Sequence, residues 1–172
     1  MDTLQSRVQA AKAALRNAAP GIVLTMAQTG LALVVLRIQR DGLIGKPYSA
    51  TPVPTYWWEK RALNSAGQTY IAQNKLGTWG AFRAAQGLPS ALVNLTYTGA
   101  MMRSLNATAG AASGSIFSAG ISAADSGNTD KVQYNIARYG DFLAPLPSEA
   151  ATVALYGQTE LDRILSQALK SV

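Results

Sequence analysis

Neither cysteine nor histidine occurs anywhere in these 172 residues. Without cysteine there is no disulfide and no thiolate to hold zinc. Without histidine the neutral imidazole ligand and the proton shuttle that works near pH 7 are missing too. A Ser-His or Cys-His nucleophile is therefore excluded. Charge is also scarce: Asp, Glu, Lys and Arg make up 14% of the chain against 48% for the apolar set. That is low for a monomer that keeps its whole surface in water, so partner subunits are expected to cover some apolar surface. The length suits a single domain with a real hydrophobic core.

Long hydrophobic runs are lacking as well. The most apolar stretch, Gly21 to Leu36, falls short of the roughly 20 residues that span a bilayer, and Thr25, Gln28 and Thr29 interrupt it. It reads as a buried core helix, and no membrane partner is expected. The amino terminus carries Asp2 and an amphipathic pattern instead of a continuous apolar run, so no secretory signal is expected. Assembly in a cytoplasm is compatible with the absence of cysteine.

The net charge of +6 is unevenly placed. Up to Arg103 there are 11 basic and 3 acidic residues, a net of +8; beyond it are 4 basic and 6 acidic, a net of −2. Such polarity suits head-to-tail stacking of subunits or docking on charged neighbours. Arg7, Lys12 and Arg16 recur at helix-face spacing, as ordinary solvated charges do. No Lys/Arg cluster is dense enough to neutralise several adjacent phosphates, which disfavours a nucleic-acid groove.

Asp2 or Thr3 is placed to cap a first helix through Asn17, with Leu4, Val8, Ala11 and Leu15 on one stripe. Pro20-Gly21 punctuates it, and a second helix follows from Pro20 to Arg40, ended by Asp41-Gly42. From about residue 47 to 90 the chain reads as an extended Pro/Trp-rich loop region. Pro52 and Pro54 forbid a central strand or helix there, and short helices are expected from Trp57 and within Thr69 to Ala85. Thr98 caps a short helix through Leu105. Asn106 to Ser122 reads as a β-hairpin turning at Ser113-Gly114. Thr129-Asp130 caps a helix ended by Gly140, and Phe142-Leu143 starts an extended segment. Ser148-Glu149 caps a last helix that Gly157 divides.

Gly42-Leu-Ile-Gly-Lys46 is not a phosphate loop, because two residues separate its glycines where four are needed and Pro47 follows the lysine. The carboxylates occupy caps and solvated faces without converging. No catalytic residue, cofactor site or metal site is expected, and the chain reads as something other than an enzyme.

Three pieces, in order, carry a family resemblance. They are the second helix through RIQRDGLIGKPYS (Arg37 to Ser49), the element LTYTGAMMRSL (Leu95 to Leu105), and ARYGDFLAP (Ala137 to Pro145). Together they resemble the phage tail-completion and head-tail joining proteins of the virion neck. The resemblance implies an α+β fold with long N-terminal helices, a small antiparallel β-sheet and packed C-terminal helices. It implies a structural role in a homo-oligomeric ring, by analogy a hexamer, that completes the tail. Its partners would be head-side connector or adaptor proteins and tail tube proteins, with genomic DNA only as a passenger in the lumen. The family-motif and assembly residues are then Arg37, Arg40, Gly42, Lys46, Pro47, Tyr48, Leu95, Thr98, Gly99, Met102, Arg103, Ser104, Phe142 and Leu143. Trp57 and Trp58 belong to a Trp-rich stretch between Tyr56 and Pro89 that departs from the family pattern. The alternative is a basic DNA-binding accessory protein, which the +8 N-terminal region would suit.

Overall fold

The computed structural model describes residues 4–170. The fold is α+β. In chain order it has α1 (Leu4–Asp41), β1 (Val53–Pro54), a 3-10 helix (Thr55–Arg61), α2 (Ser65–Gln73), β2 (Leu76–Gly77) and α3 (Trp79–Ala85). Then follow α4 (Ala100–Arg103), β3 (Leu105–Ala109), β4 (Ala119–Ala123), α5 (Ser126–Tyr139) and α6 (Pro147–Lys170). There are two antiparallel two-stranded sheets, β1 with β2 and β3 with β4. The chain forms two compact units, one of residues 37–97 and one joining the chain up to Leu36 with the chain from Thr98 onward.

In the larger unit α1 packs along α6. Gly30 lies against Val153. A Cβ on Gly157 would stand 2.6 Å from the Met26 sulfur, so Gly157 makes room for the Met26 side chain and does not divide α6. The rising order on α1 meets the falling order on α6, so the pair is antiparallel. Ile22, Leu31, Val34, Met101, Met102, Leu105, Val132 and Phe142 are buried in this unit. The hairpin expected from the small-residue tract is present, paired from Leu105 opposite Ala123 to Ala109 opposite Ala119. Gly114, at φ +61°, turns its loop.

Several expected boundaries move. The two N-terminal helices are one, because α1 runs through Pro20 without a break. A proline removes a single backbone hydrogen bond, and buried apolar positions continue on both sides of it, Ala11 before and Ile22 after. The proposed caps Asp2 and Thr3 lie outside the described residues. Gly99, at φ +72°, caps α4 in place of Thr98. Asp125, not Thr129 or Asp130, caps α5, its carboxylate accepting from Asn128 N–H at 2.8 Å. Phe142 and Leu143 form a turn instead of an extended segment. Pro147 opens α6, and the Glu149 carboxylate reaches back to the Leu146 N–H at 2.7 Å, half of a capping box. Ser148 is inside the helix.

The unit of residues 37–97 is richer in regular structure than its loop-like composition suggests. Asn64 caps α2 and Thr78 caps α3 with their side-chain oxygens. β1 is a two-residue strand paired on one side, a place where Pro54 is tolerated. Its core is aromatic: Trp58 stacks on Phe82 at 5.0 Å, and Trp79 meets Trp58 edge-on at 5.6 Å and Tyr97 at 4.8 Å.

Candidate assembly surfaces

The first of the segments singled out in the sequence folds against residues 92–94, just before the second. Leu43 N–H donates to Val93 O at 2.7 Å, Val93 N–H donates to Lys46 O at 2.9 Å, and Pro47 bridges Leu92. Gly42 makes this approach possible: its φ is +76°, and a Cβ there would stand 2.6 Å from Leu92 Cβ. The Tyr48 hydroxyl donates to Asn94 Oδ1 and accepts from Asn94 N–H, both at 3.3 Å.

Beneath that seam lies a buried cation that the sequence did not announce. Arg83 is 1% exposed. Its Nε donates to Pro89 O at 2.9 Å and its guanidinium to Asn94 Oδ1 at 2.9 Å, and it faces the rings of Tyr48 and Tyr97 at 5.3 and 5.7 Å. Its partners are a carbonyl, an amide and two π-faces, with no carboxylate. Gln86, also buried, accepts from Leu63 N–H and donates to Phe82 O. A single arginine or glutamine in a short helix gives no sign in sequence of which way it points, so neither was recognisable in advance.

The second and third segments mainly serve the fold. Leu95 holds φ +54°, a conformation uncommon for a side chain of its size. Arg103 folds back on its own helix start, donating to Thr98 O at 3.1 Å, and a Cβ on Gly99 would meet its guanidinium at 2.5 Å. Met102 is buried, and the Ser104 hydroxyl donates to Met101 O at 2.7 Å. Phe142 is buried and Leu143 lines an apolar cleft. These residues are thus mainly structural. Arg40 pairs with its neighbour Asp41 at 2.7 Å, which raises the arginine pKa and holds the carboxyl below its ordinary range.

Surface exposure runs against one expectation. The apolar stretch of α1, long and apolar enough to cross a membrane, is covered only in part: Ile22, Leu31 and Val34 are buried, most of its other residues are half-buried, and Gly21, Gln28, Ala32 and Leu36 are exposed. An all-apolar cleft of about 300 Å³ lies beside it in the same unit, walled by Met26, Gly30, Val34, Ile121, Leu143 and Val153 among others.

The two adjacent tryptophans have opposite fates because a 3-10 helix repeats every three residues. Thr55 and Trp58 share the inner face, and Trp58 is 4% exposed. Trp57 falls on the outer face with Lys60 and is 56% exposed, next to the exposed Tyr56 at a ring separation of 6.3 Å. Among the described residues no group of three or more acidic side chains is placed to hold a metal ion. No protein-family model, curated protein or solved structure matches the chain.

Proposed function

We propose that this chain is a structural protein of a phage neck. It is a subunit of a closed homo-oligomeric ring, hexameric by the resemblance, that completes the tail and joins it to the head connector. The ring assembles in the host cytoplasm and stays in the virion, with DNA passing through its lumen unread. The observation that carries this reading is the set of apolar side chains left exposed, Leu36 on α1, Leu155 and Leu169 on α6, and Tyr56 and Trp57. Surface of that kind marks a chain whose folded form includes partners. The resemblance adds its three ordered segments, the first of which pairs with Leu92 and Val93 just ahead of the second.

A ring subunit acts by shape. A heterologous contact whose rotation closes fixes the subunit number, and two unlike end faces dock unlike neighbours. The test is deletion of the gene from the phage that carries it. Filled heads and finished tails should accumulate unjoined, and purified chain added to that lysate should restore joined particles. Joined, infectious particles without the chain would overturn the reading.

One observation favours a second reading. With α1 continuous, no charge interrupts it between Arg16 and Arg37, a distance of about 30 Å along a helix and thus a bilayer thickness. Against a membrane span stands α6, packed along the same helix: one turn beyond Gly157 come Glu160 and Arg163, an ion pair at 2.8 Å that hydrocarbon would penalise. Flotation of the full chain with anionic vesicles separates the two, and the neck reading expects the chain to stay in the dense fraction.

A further inference from the structure

The aromatic face of the smaller unit is built from two segments. Trp57 and Lys60 lie on the outer side of the 3-10 helix, Tyr56 beside them and Leu63 just past its end. Strand β2 brings Lys75 and Leu76 alongside, because Pro54 pairs with Leu76 and Thr55 N–H donates to Lys75 O at 3.1 Å. Tyr56, Trp57, Leu63 and Leu76 are all more than half exposed. Neither Lys60 nor Lys75 is in an ion pair among the described residues. The unit from Arg37 to Tyr97 carries seven basic and two acidic residues, a net of +5.

A complementary surface exists on the other unit of the same chain. Leu155, Asp162 and Leu169 follow one another at seven-residue spacing on α6 and form one stripe on its outer face. All three are exposed, Leu155 to 69%. Asp162 accepts a hydrogen bond from Gln158 at 2.9 Å and has no cation partner among the described residues. The chain beyond Arg103 carries a net of −2.

We infer that the Tyr56–Trp57–Lys60–Lys75 face of one copy docks on the Leu155–Asp162–Leu169 stripe of a second copy. This rests on the ring reading and names the contact that builds it. Charge decides the pairing: a basic apolar face meets an apolar stripe whose one carboxylate, Asp162, lacks a cation partner and gains one from the lysines. The aliphatic Leu63 and Leu76 add nothing to base stacking, and the Tyr56 and Trp57 rings stand at 84° to one another, so they offer no parallel shelf for successive bases. Because the two surfaces differ, the contact is heterologous and propagates until it closes.

Charge reversal on each side tests it with the full chain, read by sedimentation velocity over a concentration series. K60E/K75E and D162K should each weaken self-association at least tenfold while melting like the parent. Mixed together they should assemble again, because the reversed face then meets the reversed stripe and the two native surfaces still meet each other. Assembly of each variant as tight as the parent would overturn the inferred contact while leaving the ring. So would two weakened variants that do not rescue one another. A parent monomeric at high micromolar concentration would also overturn it, leaving the neck reading to the deletion experiment. Loss of anionic-vesicle or single-stranded DNA binding in K60E/K75E, without loss of self-association, would reassign the face to lipid or nucleic acid.

Discussion

Arg83 organises the smaller unit because its planar fork serves two jobs that no other side chain combines. It donates in two directions, to Pro89 O and Asn94 Oδ1, and it lies against two tyrosine faces. Lysine would keep the buried charge but lose the fork and most of the stacking, whereas methionine would drop the charge and its desolvation cost. R83K should therefore destabilise by about 3 kcal/mol and R83M by less. Urea unfolding of both variants checks this, and a more stable R83K would contradict it. At Asp125 the issue is protonation. The carboxyl pKa is lowered, chiefly by the Asn128 backbone N–H and then by its side-chain amide. A depressed folded value means that the cap's contribution is whole above the ordinary carboxylate range. It declines as pH drops below 3.8 and is gone once pH falls through the folded value. Asparagine keeps the cap without titrating, so D125N should lose less melting temperature than the parent between pH 7 and pH 3.

At the scale of elements, α1 shows both what local sequence reveals and what it conceals. Its apolar spacing was readable, as were the hairpin turn at Ser113-Gly114, the stop at Gly140 and the last helix, because each signal is local in backbone or periodicity. Pro20 misled, since a helix stop there is a local preference that packing on α6 outweighs. Thr98 misled in the same way, because the adjacent glycine reaches the left-handed conformation that the chain needs. Gly157 read as a breaker, yet its meaning depends on Met26, 131 positions away in sequence. If Pro20 only interrupts one hydrogen bond of a continuous helix, P20A should raise stability by about 1–2 kcal/mol. A drop in thermal unfolding temperature would instead show that the proline sets a needed bend.

For the molecule as a whole, the candidate surfaces were partly legible. The scarcity of charge and the basic-to-acidic polarity of the chain pointed to uncovered surface and head-to-tail contact. The face that carries it was not, because which of Trp57 and Trp58 turns outward depends on the three-residue repeat of the 3-10 helix and on where Phe82 lies. Likewise the apolar run of α1 looked like core, and only the packing around it showed that this chain covers it in part. If the chain is the neck-ring subunit proposed above, a cryo-electron-microscopy reconstruction of the head-tail junction of its virion will contain it. The expected result is a closed ring between connector and tail tube into whose density the chain fits, with the Trp57 face of each copy against α6 of its neighbour. A junction fully accounted for by other proteins, with no density for this chain, would contradict it.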